Sequence, residues 1–168
     1  MSQEATQVGE SKLTEIEIRL DEISGQDTLS IDDKIQAILQ EGNAHFGTAF
    51  ALVSEIKGDV YRVVFSESDI APAEPGTEFP LGETYCLQTM RAGGPVAYHA
   101  AGASDLSDHP CYSVFQLETY IGAPMMQGTQ VLGTVNFTNI EARAPFSAQD
   151  LATISGIASR VQALLKAA

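Results

Sequence analysis

Two glycine-centred turns constrain the fold of this chain more than any other feature. Lys57-Gly58-Asp59 and Gln127-Gly128-Thr129 each lie between two runs rich in strand-forming residues. Glycine readily supplies the positive φ that a tight hairpin turn requires. The first turn therefore predicts a hairpin of strands 49–56 and 60–66, and the second predicts one of strands 119–126 and 130–138.

Helical patterns enclose these hairpins at both ends of the chain. Ser30, followed by Asp33, resembles a capping box that opens a helix with one apolar face. Ser147, with Asp150 three residues later, predicts a second helix that continues to about Ala167. Because both helices border the hairpins in sequence, we expect them to cover one face of a shared sheet together.

The segment between the hairpins is rich in glycine, proline and small polar residues. It predicts short strands at 78–81 and 95–99 and helical turns at 84–91 and 112–115, joined by surface loops. Such an insert forms a lid over the sheet face that the helices leave free. The predicted fold is therefore α+β, with an antiparallel sheet, N- and C-terminal helices on one face and a loop and short-helix lid on the other.

A short heptad seam precedes the first capped helix. Leu13, Ile16, Leu20 and Ile23 recur at spacings of three, four and three within a helix predicted from Ser11 to Ser24. Two heptads do not hold a coiled coil alone, so the seam packs either on the domain or on a second copy. We expect residues 1–30 to form a polar tail and a dimerisation helix, residues 31–168 to form the domain, and the last helix to contribute to a homodimer.

The acidic charge balance excludes several classes of partner. The formal net charge is −13, whereas nucleic-acid binding depends on lysine and arginine, and anionic lipid attracts basic segments. No apolar run approaches the roughly 20 residues that cross a bilayer, and the first residues lack a leader pattern. We expect a cytoplasmic protein that binds neither nucleic acid nor membrane.

The cysteine and histidine residues do not predict a metal site. Two cysteines, Cys86 and Cys111, are too few for a four-ligand zinc site or a disulfide scaffold, and the three histidines show no ligand spacing. Free, buried thiols are expected in a reducing compartment.

Four segments in a fixed order resemble one known family. They are Gly82–Cys86, His109–Pro124, Gly133–Phe137 and Pro145–Asp150. Their succession is similar to GAF domains, in particular to those of bacterial sensor histidine kinases and other phosphorelay proteins. The resemblance covers roughly residues 31–165. It implies a GAF/PAS-like fold and a non-enzymatic sensory module, which binds a small molecule and relays the signal through a helical dimer to an output domain or kinase in two-component signalling.

The lid contributes five candidate ligand-binding residues. Tyr85 and Cys86 lie at the entry to a short helix, where they either line a pocket or fill core. His109, Tyr112 and Phe115 follow one another at spacings of three, which places them on one side of the second short helix. There they either face a cavity or hold the lid down on the sheet.

The second hairpin contributes three further candidates, Tyr120, Thr134 and Asn136. These side chains share one sheet face if the strands pair in the register that their turn favours. Polar groups on an inward face need hydrogen-bond partners. A ligand, an ordered water or a backbone group of the lid would each supply them.

Two other ligand classes of the family are not expected. Bilin-binding GAF domains attach their chromophore to a cysteine followed by histidine, whereas Cys111 is followed by Tyr112 and stands closer to Pro124 than in those proteins. The sequence also lacks the signature of the cyclic-nucleotide-binding phosphodiesterase group. We therefore expect no cofactor.

Two alternative functions stay open on the sequence. One is a thiol enzyme like the free methionine-(R)-sulfoxide reductases, in which Cys86 and Cys111 would be the reacting thiols. Asn136 and Tyr120 stand where that family carries acidic residues, so the proton donor is missing. The other alternative is a dimerisation module with a filled core and no ligand.

Overall fold

One six-stranded antiparallel sheet organises residues 13–167, the part of the chain that the computed structural model describes. Its spatial order is β3-β2-β1-β6-β5-β4. The strands are β1 (Phe50–Lys57), β2 (Val60–Glu67), β3 (Glu78–Pro80), β4 (Val96–Tyr98), β5 (Thr119–Gln127) and β6 (Gln130–Asn139). Both predicted hairpins are present, and their turns contain Gly58 at φ 58° and Gly128 at φ 62°. The hairpins join through antiparallel pairing of β1 with β6.

Five α-helices accompany the sheet over the described residues. They are α1 (Glu15–Ser24), α2 (Ile31–Phe46), α3 (Cys86–Ala92), α4 (Pro110–Ser113) and α5 (Ala148–Ala167). Short 3-10 turns lie at 81–83, 101–103 and 105–108. The length and apolar character that a membrane crossing requires are not combined in any helix of residues 13–167.

Both predicted helix starts are confirmed in detail. Ser30 Oγ accepts a hydrogen bond of 3.1 Å from Asp33 N at the start of α2. At the start of α5, Ser147 Oγ accepts from Asp150 N at 3.1 Å, and Asp150 Oδ2 accepts from Ser147 N at 2.9 Å. This reciprocal pair satisfies two backbone donors that the helix itself leaves free.

The two faces of the sheet bury separate clusters, as the sequence predicted. On one face α1, α2 and α5 pack against apolar residues of the central strands, and this cluster includes Leu20, Ile38, Val53, Phe137 and Ile154. On the other face the lid packs against a more polar and aromatic cluster, which includes Tyr61, Leu81, Tyr85, Cys86 and Tyr120. The α+β arrangement with a lid opposite the terminal helices is confirmed.

The N-terminal seam packs largely on its own domain. Ile16 is 7% exposed and Leu20 is fully buried in the helical-face cluster, while Ile23 packs at its edge. Leu13 is 55% exposed. Ile16 and Leu20 were expected to serve a dimer, but they cannot contact a second copy while α1 keeps this position. The predicted tail at 1–10 and the predicted helix start at Ser11 lie outside the described residues.

Candidate functional site

A cavity of about 370 Å³ lies between the sheet and the lid. Strands β1, β2, β5 and β6 form its floor, and the segments around α3 and α4 form its roof. Its lining is mostly aromatic and aliphatic. The lining includes Phe50, Leu52, Tyr61, Phe79, Tyr85, Phe115, Leu117, Tyr120 and Ile140, together with the polar Ser66, Asn136 and Thr138.

Strand register brings the polar side chains of β6 to this floor. Tyr120 pairs with Thr138 across the second hairpin, and Gly122 pairs with Asn136. Because side chains alternate between faces, Thr134, Asn136 and Thr138 all project towards the lid beside Tyr120. The register that the turn favoured is the one observed. Gly122 leaves room for the Tyr120 side chain, because a Cβ at position 122 would clash with the phenol of Tyr120.

The thiol of Cys86 lies at the centre of a buried hydrogen-bond network. Sγ accepts from Thr134 Oγ1 at 3.1 Å, from Tyr120 OH at 3.3 Å and from Asn136 Nδ2 at 3.3 Å. Behind these donors, Thr134 Oγ1 lies 2.8 Å from Ser54 Oγ. Thr134, Tyr120 and the amide nitrogen of Asn136 thus find a partner in the protein itself, in a thiol that α3 places over the sheet.

This network keeps its ionisable groups neutral. Burial raises the pKa of the Cys86 thiol, and the hydrogen bonds that it accepts lower that pKa only in part. Burial also raises the pKa of Tyr61 and Tyr120 well above the usual value, with the neighbouring Cys86 as the second cause. A thiol in this state is a weak nucleophile, because the thiolate is the reactive form.

The second thiol, of Cys111, connects the two short helices of the lid. Its Sγ accepts from Tyr85 N at 3.3 Å and donates to Glu83 O at 3.4 Å. Burial raises the pKa of Cys111 to about 12. Both cysteines are free, and Cys111 also lines the cavity. Cys111 therefore acts as a hydrogen-bonded element of the roof.

Five of the eight residues that the sequence singled out line the cavity. They are Tyr85, Cys86, Phe115, Tyr120 and Asn136. Tyr85 also holds the lid in place, because its OH donates to Leu117 O at 2.9 Å. Phe115 stands at the mouth with 48% of its surface exposed, and its ring lies edge-on to Phe79 at 6.0 Å.

The other three candidates lie next to the cavity without lining it. Thr134 is fully buried beneath Cys86. His109 caps α4, where Nδ1 accepts from Cys111 N at 3.1 Å, and its ring stacks on Tyr85 at 4.6 Å. Burial lowers the pKa of His109, which favours the neutral ring that this cap requires. Tyr112 packs against Gly102. His109 and Tyr112 therefore both hold the roof in place.

Sequence reasoning missed lining residues on the first hairpin and in the lid. Phe50 and Leu52 pair with Thr138 and Asn136, but this pairing joins strands that are distant in the chain. Tyr61 also lines the floor, and its OH accepts from Asn136 Nδ2 at 3.1 Å. Thr138 could have been identified from the sequence, because it stands two residues after Asn136 and therefore faces the same side of the strand.

The lining carries almost no charge. Among the residues described, no lysine, arginine or histidine lines the cavity, and the only lining carboxylate belongs to the exposed Glu83. Residues 13–167 contain no cluster of three side chains able to hold a metal ion. The cavity thus combines apolar walls with a few neutral polar groups, which is typical of small-molecule sites.

Solved structures with the same fold come from proteins of several kinds. The GAF domain of an Acinetobacter phosphoenolpyruvate-protein phosphotransferase is 12% identical at a TM-score of 0.73, over 93% of this chain and 96% of that one. The phycocyanobilin-bound GAF domain of a cyanobacterial phytochrome is 15% identical, with a TM-score of 0.71, and the match covers 92% of this chain and 95% of that one. The free methionine-R-sulfoxide reductase of Neisseria meningitidis, solved with its substrate, is 17% identical, with a TM-score of 0.68, and the match covers 94% of this chain and 93% of that one.

These identities establish a shared fold and nothing finer. No curated protein matches the sequence. The GAF domain family does match it, over residues 30–165, which is most of the chain and includes the whole sheet, the lid and nearly all of α5. The chain therefore belongs to the GAF domain family.

Proposed function

We propose that this protein is a non-enzymatic sensory domain, which binds a small molecule in the cavity and passes the signal to a partner through its terminal helices. The observation that carries the proposal is the cavity of about 370 Å³ between sheet and lid. Its volume lies at the lower end of the range of about 300–1,000 Å³ that is usual for small-molecule sites. A cytoplasmic phosphorelay is the expected setting, and two free thiols fit a reducing compartment.

Strand β6 offers a direct route from the cavity to the helices. Asn136 lines the cavity, whereas its neighbour Phe137 points to the opposite face and packs against Phe46 of α2 at 5.2 Å. A ligand that shifts β6 therefore also shifts the helical layer. The free energy available is the difference in ligand affinity between two states, about 1–3 kcal/mol in typical allosteric proteins.

The output would pass through α1 and α5, which are joined at the surface. Arg160 Nε of α5 donates to Asp21 Oδ1 of α1 at 2.9 Å, and both helices also pack into the same core cluster. A homodimer through this pair would use exposed apolar residues such as Leu13, just before α1, and Ile18 of α1, because Ile16 and Leu20 are committed to the core. Sedimentation showing only monomer, with and without ligand, would remove the dimer from the proposal.

The binding proposal is tested by small molecules released from protein purified out of its own host. Mass spectrometry should detect a compound enriched in the wild-type protein, and that compound should raise the melting temperature on re-addition. Ala73→Trp places a large side chain in the cavity from a surface loop and should abolish both signals. Ala152→Trp, on the exposed face of α5, is the matched control and should keep both. A wild-type protein that releases and binds nothing favours the ligand-free dimerisation module instead.

A thiol reductase is the second candidate, because Cys86 and Cys111 both line the cavity. The raised pKa of each thiol opposes it, and none of the lining residues within 13–167 supplies a buried carboxylate. We expect no NADPH consumption when thioredoxin, its reductase and free methionine sulfoxide are supplied. Turnover that Cys111→Ser abolishes would overturn the non-enzymatic assignment.

A bilin does not fit the lining. A linear tetrapyrrole carries two propionate groups, and no basic side chain of the described residues lines the cavity to pair with them. Cys111, the less buried of the two lining thiols, is already hydrogen-bonded on both sides, to Tyr85 N and Glu83 O. Protein purified with excess bilin should stay colourless.

A further inference from the structure

We infer that the cavity takes a neutral, ring-containing compound with a hydrogen-bond donor, which pairs with Asn136 and Thr138 on the floor. This inference rests on the proposed function, since it specifies the ligand of the same cavity. Three observations lead to it: an unused acceptor, an unused hydroxyl beside it and uncharged aromatic walls.

The unused acceptor is the side-chain oxygen of Asn136. Its amide nitrogen donates to Tyr61 OH at 3.1 Å and to Cys86 Sγ at 3.3 Å, and in this orientation the amide oxygen points away from both groups. Oδ1 accepts no hydrogen bond from any residue between 13 and 167, although Asn136 is only 1% exposed. No side-chain oxygen in this range is both sealed from solvent and unpaired, so Oδ1 faces the open cavity.

The unused hydroxyl is that of Thr138, two residues along β6 on the same face. Thr138 is 5% exposed and lines the cavity, and its Oγ1 has no hydrogen-bond partner in the described residues. A hydroxyl can both donate and accept. The ligand's hydrogen-bond donor can therefore pair with Asn136 Oδ1, while a neighbouring polar group of the ligand pairs with the Thr138 hydroxyl.

The walls determine the rest of the ligand. Aromatic side chains surround these two polar groups, among them Phe50, Tyr61 and Tyr120, and favour a flat ring. No basic side chain of residues 13–167 lines the cavity to pair with a carboxylate or phosphate, and burying an unpaired charge is costly. The volume of about 370 Å³ favours a compound of one or two rings over a nucleotide.

The test uses three probes that differ in one feature each. 2-Quinolone is neutral and carries an N–H next to a carbonyl, 1-methyl-2-quinolone lacks the donor, and 2-quinolone-4-carboxylate keeps the lactam but carries a negative charge. Calorimetry should show saturable binding of 2-quinolone. The methylated probe should bind about tenfold or more weakly, because Asn136 Oδ1 is left buried and unpaired. The anionic probe should show no binding.

Two variants connect this pattern to the named groups. Thr138→Val removes the hydroxyl at constant shape and should weaken 2-quinolone several-fold while leaving the melting temperature of the free protein nearly unchanged. Ala73→Trp should abolish binding of every probe, and Ala152→Trp should change none. Asn136→Leu is a less suitable variant because the amide also bonds Tyr61 and Cys86.

Failure of the inference and failure of the proposed function give different results. Tighter binding of the carboxylate than of 2-quinolone, or equal binding of the methylated probe, overturns the ligand class while the cavity stays a binding site. The same holds if a charged compound is released from the natively purified protein. If no probe binds and nothing is released from that protein, the sensory function itself is refuted.

Discussion

Gly42 provides the sharpest test of how tightly α2 packs on the sheet. It lies in the middle of α2 and is buried. A Cβ built at this position would approach ring carbons Cζ and Cε1 of Phe137 to less than 3.0 Å, a distance that real Cβ atoms essentially never show. Phe137 is fully buried and packs against Phe46 at 5.2 Å, so its ring has little room to move.

The expected effect of Gly42→Ala is a balance of two terms. Alanine is favoured over glycine inside a helix by about 1 kcal/mol. Forcing an extra methyl group into a packed core costs about 1–3 kcal/mol and occasionally more. Since the clash involves a fully buried ring, we expect a packing cost at the upper end of this range, about 2–3 kcal/mol, and so a net loss of about 1–2 kcal/mol. For a chain of this size the melting temperature should fall by about 2–8 °C.

Gly156 offers the same substitution with the opposite expected sign. It lies within α5, and the atom nearest to a built Cβ is Nη1 of Arg160 at 2.9 Å, the far end of a flexible side chain. Gly156→Ala should therefore gain up to about 1 kcal/mol from helix propensity. Urea unfolding of both variants, followed by circular dichroism, measures the two changes directly. A Gly42→Ala protein as stable as the wild type would refute the argument that Phe137 fills this space.

Three further predictions concern the lid, the second capping box and the roof thiol. Gln116 is exposed and has a φ of 55°, so Gln116→Gly should stabilise the protein by up to about 1 kcal/mol. Gly128 has a φ of 62°, so Gly128→Ala should destabilise the protein by about 1 kcal/mol in the same urea assay. Ser147→Ala should cost about 1 kcal/mol through the lost cap on Asp150 N, and Ser147→Asp should cost less. Cys111 has a folded pKa of about 12 and an unfolded pKa near about 8.5, so the unfolded chain releases this proton first. The free energy of unfolding should therefore fall as pH rises from about 8.5 towards 12, and it should fall less steeply in Cys111→Ala. Equal slopes of unfolding free energy against pH in the two proteins, measured by pH-jump unfolding, would contradict the shifted pKa.

The sequence predicted most of the fold because its signals are local. A glycine turn between two strand patterns specifies a hairpin within about 20 residues, and a serine followed three residues later by an acidic residue specifies a helix start. Both hairpins and both capped helices are therefore observed within two residues of their predicted bounds. The pairing of β1 with β6 was not predictable in this way. It joins Phe50 to Thr138, and no turn connects them.

The site was predictable only in its local parts for the same reason. Tyr120 and Asn136 belong to one hairpin, so turn geometry placed them on a common face. Tyr61 and Phe79 reach the cavity through long-range pairing, so nothing near them in the chain marked them as lining residues. Helical spacing predicted that His109 and Phe115 lie on one side of a short helix at 112–115, but α4 covers Pro110–Ser113 and contains neither residue. Only Phe115 lines the cavity, because His109 is used as the helix cap.

The alternation along β6 separates the two tasks of this strand. Val135 and Phe137 are fully buried on the helical face and hold the core together, whereas Thr134, Asn136 and Thr138 face the lid. Buried polar groups gain little net stability over apolar groups of the same shape. A strand needed only for packing could therefore be apolar on both faces without loss. Three polar residues in succession on the lid face, two of them with unused hydrogen-bonding atoms, support the proposal that this face binds a ligand.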